Sequence, residues 1–550
     1  MALSDRSEIF DWTKVNLNQS EQDQLYKWQI SGHPIGSASI SDWPELPNVI
    51  ARLNPLCARE LETFGGVAAE DDAVLEYFLK TPAVQEILDG KVLLVSGRKG
   101  SGKTALVRHF TEGSNRVNAR AVSLGQYPWK LHERKSDPSV NDVESFIESW
   151  RYLIAMQVAS FVLTSSNTDL VSQDALALSE FFLTNYGGFT PDLGDIVRPK
   201  KLELSKASFE PQVMGNKLGS VTFENENPQV GRELKAITNS IFEKVYSLAS
   251  KAGIKNIYLH FDELDRGLVS LDKPRKNLLI GLVLASLDVS RSSVNQSMRC
   301  IPIVYLRTDL WDELKFSDKN KITQGKTLNL EWNATSLNDL VNERIKAALG
   351  TEASWGTISS PNLMRGSQSK WAHILARTFL RPRDVISYLN VALGIAKRRD
   401  AVSNEPLIIE NRDTVEAREK YSSYLKKELE DEIGPHWLHW TDALKALSKL
   451  AQVTFKLEHF KTAYEQLKSS ENLVDADDAL KKLYEFSVIG YERRSGYGGS
   501  SWIFHYTHPD SGWDSNSTGF KVHAGLKEVA KLQEKRRSGL LVSESIIDIV

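Results

Sequence analysis

Residues Val92–Phe110 read VLLVSGRKGSGKTALVRHF. Apolar residues lead into a loop with three glycines, and a stretch of helical character follows. Gly97, Arg98, Lys99, Gly100, Ser101, Gly102, Lys103 and Thr104 fit the phosphate-loop pattern GxxxxGK[ST]. Glycines let such a loop bend until its backbone N–H groups point inward, where they can surround phosphate oxygens. A helix that starts at the end of the loop, with Ala105 in its first turn, aims the positive end of its dipole at the same place. Lys103 is then placed to reach the β- and γ-phosphates of a nucleotide, and Thr104 to put its hydroxyl on Mg2+. The plain alternative is a glycine-rich turn that binds nothing. Against it stand the strand before the loop and the helix after it, both of which the chemistry needs.

Three further stretches gather around that loop. Asn256–Gly267, NIYLHFDELDRG, is an apolar strand ending in Asp262 and Glu263. Ligands bind at strand ends in open α/β sheets. Asp262 suits the Mg2+ site, and Glu263 is placed to polarise an attacking water. Ile301–Trp311, IPIVYLRTDLW, is another buried strand with polar groups at its end. Arg307 or Thr308 could sense a γ-phosphate there, since an arginine can tell a triphosphate from a diphosphate by one charge-assisted hydrogen bond. A structural ion pair is the other reading of Arg307. Phe379–Leu393, FLRPRDVISYLNVAL, sets Arg381 and Arg383 around Pro382 in a first helical turn. Two arginines there oppose the helix dipole unless an anion lies close. A nucleotide phosphate would serve, and so would Asp384.

The rest of the chain sets the frame. It has 550 residues, 41% hydrophobic and 25% charged, with a formal net charge of −3. That length suggests three or four domains, and that composition an ordinary soluble globular protein. The charge gives no global pull toward nucleic acid. The two cysteines, Cys57 and Cys300, have no metal-ligand spacing and read as free thiols in a reducing compartment. The N-terminus lacks a signal-peptide pattern. The longest apolar run, Leu278–Leu287, is too short to span a bilayer, which takes about 20 residues. A cytoplasmic protein with no membrane contact is expected.

Residues 1–60 are mixed and carry Trp12, Trp28 and Trp43, better read as core than as a docking surface. From Phe64 to about Leu88 the pattern is helical. Within a core expected over residues 61–334, residues 91–333 alternate apolar strand-like runs (91–95, 120–124, 256–261, 301–306 and 327–330) with amphipathic stretches, which means a parallel sheet buried on both faces. The turn-rich interval 183–228 reads as an insertion. Residues 335–432 are almost all helical. Residues 436–545 read as helices followed by two β runs, VIGYERR and SSWIFHYT, joined by a glycine-rich turn. HWLH at 436–439 lacks other ligands nearby and reads as structural. The expected fold class is α/β: a parallel-sheet P-loop ATPase core, a helical lid and a C-terminal winged-helix-like domain.

Together these motifs resemble the additional-strand P-loop ATPases of the AAA+/STAND type. More narrowly they resemble a group of bacterial P-loop ATPases associated with anti-phage defence. The residues that carry the resemblance are FGGVAAEDD (64–72), GRKGSGKTA (97–105), YPWKLHE (127–133), FDELDRG (261–267), YLRTDL (305–310), NERI (342–345) and RPRD (381–384). The resemblance implies Mg-ATP binding, a lid carrying the RPRD arginines, nucleotide-dependent homo-oligomeric assembly and a partner effector protein. It also implies an arginine finger from a neighbouring copy, for which Arg266, Arg291 and Arg299 are the candidates.

The C-terminal unit leaves a second reading open, a DNA-engaged ATPase of the origin-loader or clamp type. Its third helix, DADDALKKLYEF (475–486), opens with three aspartates, good capping chemistry but poor against phosphate. Arg493, Arg494, Tyr491, Tyr497 and Trp502 on the wing allow weak contact only. EKRR at 534–537 reads as a solvated helix face. A scaffold that merely keeps nucleotide is a third reading, opposed by the intact Lys103, Thr104, Asp262 and Glu263.

Overall fold

The computed structural model describes residues 58–113, 117–133, 142–197, 201–204, 212–213, 216–217, 220–222, 230–268, 271–401, 407–494 and 500–534. Trp12, Trp28, Trp43, Cys57, Tyr497, the turn at 495–499 and Lys535–Arg537 lie outside them. The chain divides into two compact units. One comprises Ala68–Glu331 with Asp431–Leu438, and the other the remaining described residues.

The first unit is built on a five-stranded sheet. In chain order the strands of that sheet and the longer helices around it include β1 (Leu94–Ser96), helix α1 (Lys103–Thr111), β2 (Ala119–Ser123), α2 (Asp142–Thr164), α3 (Val230–Lys251), β3 (Asn256–Asp262), α4 (Lys273–Ser292), β4 (Arg299–Leu306) and β5 (Thr327–Asn329). The strand order is β2-β3-β4-β1-β5, all parallel. One strand, β4, therefore separates the strand before the phosphate loop from the acidic strand. Between α2 and α3 lie helices Gln173–Tyr186 and Leu193–Val197 and two short antiparallel pairs, Lys201–Glu203 with Ser220–Thr222 and Gln212–Val213 with Asn216–Lys217.

The continuous apolar strands are explained by burial on both faces. Ile257, Leu259 and Phe261 of β3, with Val304 and Leu306 of β4, join the core formed with α2, α3 and α4. Their alternate neighbours Tyr258, Ile301, Ile303 and Tyr305 pack with Leu106, Val107 and Phe110 of α1. Trp150 of α2, fully buried, ties its indole N–H to the Leu278 carbonyl of α4 at 3.0 Å. Cys300 is buried there as a free thiol, and burial pushes its pKa up. The apolar run Leu278–Leu287 lies within α4 as part of this core. No described helix is long and apolar enough to cross a membrane.

One expectation fails. Phe64–Leu88 is not a continuous helix. It forms short 3₁₀ turns at Ala69–Asp71 and Val74–Tyr77, and a helix only at Pro82–Leu88. Pro82 pushes Thr81 into extended backbone. Arg108 of α1 takes the carbonyls of Ala69 and Asp72 as acceptors, which holds them outside an α-helical ladder.

The second unit holds α5 (Pro382–Arg399), most of α6 (Asn411–Ile433), and a C-terminal portion. That portion runs α7 (Trp440–Leu450), β6 (Thr454–Lys456), α8 (Leu457–Leu467), α9 (Ala476–Glu485), β7 (Ile489–Arg494), β8 (Ser500–Ile503) and β9 (Gly519–Val522). Its strands pair antiparallel in the order β6-β9-β7-β8. Three helices with a β-hairpin after the third give the winged-helix arrangement.

Candidate nucleotide site

In a parallel sheet every strand ends on the same edge. Strand register places Ser96 beside Leu306 and Asn329, and Ser123 beside Asp262. The phosphate loop follows Ser96, the acidic pair closes β3, and Arg307 and Thr308 follow β4. Residues spread over some 200 positions thus meet at one edge of the sheet.

Gly97–Thr104 turns from β1 into α1. Gly100 and Gly102 have positive φ, 80° and 97°, which side-chain-bearing residues rarely adopt. Gly97 is needed for space, because a Cβ there would lie 2.4 Å from Ser101 Oγ. Lys103 Nζ lies inside the loop and donates to the carbonyls of Gly97 at 2.8 Å and Arg98 at 3.1 Å. Burial lowers its pKa, and the charges of Asp265 and Asp262 only partly offset this.

Asp262 is 6% exposed and accepts hydrogen bonds from the Glu263 backbone and the Thr104 hydroxyl. Burial nevertheless pushes its carboxyl up to about 6. A buried carboxylate held beside a threonine hydroxyl fits a divalent cation. Among the described residues no group of three or more His, Cys, Asp or Glu could hold a metal. Thr104 and Asp262 would therefore need nucleotide phosphates and water as the remaining ligands of Mg2+.

Glu263 has φ 61°, a left-handed conformation unusual for a residue with a side chain. Backbone outliers of this kind gather at functional sites. Its carboxylate accepts from the Ser123 hydroxyl on one oxygen and from Arg266 Nη1 at 3.0 Å on the other. Gly125 borders it closely: a Cβ there would sit 2.5 Å from Glu263 Oε2 and 2.7 Å from Arg266 Cδ. We expect Gly125→Ala to displace the Glu263 carboxylate and lower ATP turnover at least tenfold, about 1.4 kcal/mol of barrier, with ATP affinity little changed. Single-turnover assays alongside ATP titrations check both halves.

Arg307 is 5% exposed and committed within its own unit. Its Nε and Nη2 clamp Asp309 at 2.9 and 2.6 Å, Nη1 lies 3.5 Å from Asp265, and Nη2 donates to the Glu432 carbonyl at 3.3 Å. Burial opposes its charge, but these acids more than compensate and hold its pKa above the ordinary value. The structural ion pair is thus present. Thr308 Oγ1 lies 3.2 Å from Ser96 Oγ at the base of the loop. His436 bridges Asp309, at 2.9 Å from Nε2, and Glu313. Burial alone would lower the imidazole, yet its two carboxylates raise it to about 9, so it carries charge at neutral pH.

The arginines expected on the lid belong to the second unit. Arg381, almost fully buried, pairs through Nε and Nη2 with Asp384 at 2.8 and 2.9 Å. Arg383 donates to the Val67 carbonyl at 2.9 Å and pairs with Glu428 at 3.3 Å. Of the finger candidates, Arg266 lies at the phosphate-loop edge with its side chain 62% exposed. Arg299 opens β4, and Arg291 lies in the last turn of α4, so both sit toward the opposite edge.

The sequence reading passed over several residues of this site: Ser123, Gly125, Asp265, Asp309, Asp431 and Glu432. Asp265 and Asp309 lie inside the motifs FDELDRG and YLRTDL, and Ser123 is a polar residue within the strand-like run 120–124; the others carry no local signal.

Residues 335–430 match the family described as the FunZ-associated C-terminal helical domain. No curated protein matches the chain. Among solved structures, the crystal structure of Cdc6p from Pyrobaculum aerophilum matches at 11% identity, covering 80% of this chain and 86% of that one, with a TM-score of 0.24. At that score the likeness decides nothing about fold or function.

Proposed function

We propose that the chain binds ATP with Mg2+, hydrolyses it, and uses the cycle as a switch that assembles the protein and controls a partner effector. What carries this reading is the convergence, at one sheet edge, of Lys103 inside its loop, the Thr104–Asp262 pair, and Glu263 in a strained backbone position. Lys103 and the loop N–H groups bind the phosphates. Thr104 and Asp262 hold Mg2+, which supplies charge neutralisation on the phosphates. Glu263, once off Ser123 and Arg266, orients a water for in-line attack. Arg266, exposed beside it, is the arginine best placed to serve a neighbouring copy. The anti-phage setting rests on the sequence resemblance alone.

The competing reading is a DNA-engaged ATPase. The winged-helix arrangement favours it. The start of α9 opposes it: Asp475 caps the helix at 2.8 Å, and Asp477 and Asp478 fill the first turn. Light scattering on Glu263→Gln, which should trap bound ATP, separates the two. A rise in molar mass with ATP but not ADP, indifferent to duplex DNA, is the expected result. Assembly only with duplex DNA, with a steep salt dependence, would replace the switch by the DNA-engaged reading. No change in mass under any condition would contradict both.

A further inference from the structure

Helix α6 ends where Gly434-Pro435 cannot continue it, and the chain turns with His436 and Trp437 N–H both bonded to the Ile433 carbonyl. Asp431–Leu438 belongs to the sheet unit, although its sequence neighbours on both sides belong to the other. This short segment touches three of the cations at the phosphate-loop edge. Asp431 pairs with Lys99 at 2.8 Å and Glu432 with Arg98 at 3.5 Å. The Glu432 carbonyl accepts from Arg307 at 3.3 Å. Glu432 is 4% exposed, so its charge acts at close range with little screening by water. His436, between Asp309 and Glu313, and the buried Trp437 anchor the segment.

We propose that Asp431–His436 is a strap whose two carboxylates compete with nucleotide phosphate for Lys99 and Arg98, and whose Glu432 carbonyl competes for Arg307, so that ATP binding displaces it. The inference rests on the nucleotide-binding reading above. A triphosphate entering the loop brings several negative charges next to two carboxylates that already hold the local cations. Like charges this close repel. One of the two anions must leave the arginines, and only the strap can move while staying attached. Because the chain runs from the strap directly into α7, its displacement would pass the state of the site to the C-terminal portion.

The test is binding of a fluorescent ATP analogue, with Mg2+, to the full chain and to Asp431→Asn, Glu432→Gln and the double variant. Both substitutions keep shape and remove charge, and the Asp431 side chain is 69% exposed, so its substitution costs the fold little. The double variant should bind about tenfold tighter, the worth of one charge-assisted hydrogen bond no longer contested. Asp431→Asn should have no effect in a Lys99→Gln background, because the two act as a pair. A merely structural strap would give equal or weaker binding in the variants, which overturns the proposal and leaves the nucleotide site standing. Absence of binding by the unaltered chain would overturn both.

Discussion

Lys103→Ala is expected to lower ATP affinity at least about 100-fold. This is the largest effect expected of any single substitution here. The Lys103 ammonium is enclosed by the loop, held by the Gly97 and Arg98 carbonyls. Asp262 and Asp265 act on it from the end of β3. Removing it deletes charge-assisted hydrogen bonds to phosphate worth about 1.5–3 kcal/mol each. It also removes the ammonium that offsets Asp262 beside the phosphates. A loss of affinity of at least about 100-fold follows, and calorimetric titration with Mg-ATP measures it. Lys103→Arg keeps the charge on a larger, planar head and should recover only part of the affinity, since the enclosed space suits an ammonium. Tight binding by Lys103→Ala would contradict the site.

Glu263→Gln has the second largest effect, and of the opposite kind. The amide keeps the size of the side chain and can still meet Ser123, but it has no basic oxygen with which to orient water. Loss of a general base typically lowers turnover about 10²–10⁴-fold. Binding should persist, because neither the loop nor Thr104 and Asp262 is touched. Nucleotide extracted from the variant after incubation with ATP should therefore be ATP, and from the unaltered chain ADP. Extraction of ADP from both would remove Glu263 from the chemistry.

The fold and the heart of the site were legible for separate physical reasons. A strand buried on both faces must be apolar at every position, so NIYLHF and IPIVYL announce themselves. A loop that wraps phosphate needs glycine where φ is positive or space is short, and Gly97, Gly100 and Gly102 supply both. The acidic pair was readable because strand ends in parallel sheets face ligands. What stayed hidden depends on distant partners. Lys99 and Asp431 are separated by 332 positions, and His436 and Asp309 by 127. No local pattern marks such pairs. HWLH reads as structural from sequence, and His436 is indeed held by ion pairs, but its partners were invisible. Phe64–Leu88 misled for another reason. Its apolar spacing suits a helix, yet Phe78 within it serves α1, stacking on His109 at 4.0 Å between centroids. Tertiary contact overrode periodicity there.

The most direct measurement is steady-state phosphate release from saturating Mg-ATP by the purified chain, run beside Glu263→Gln. Turnover by the unaltered chain and a rate near background in the variant are the expected result. Equal rates in the two, or none in either while ATP is bound, would contradict the assignment of this sheet edge as an ATPase site.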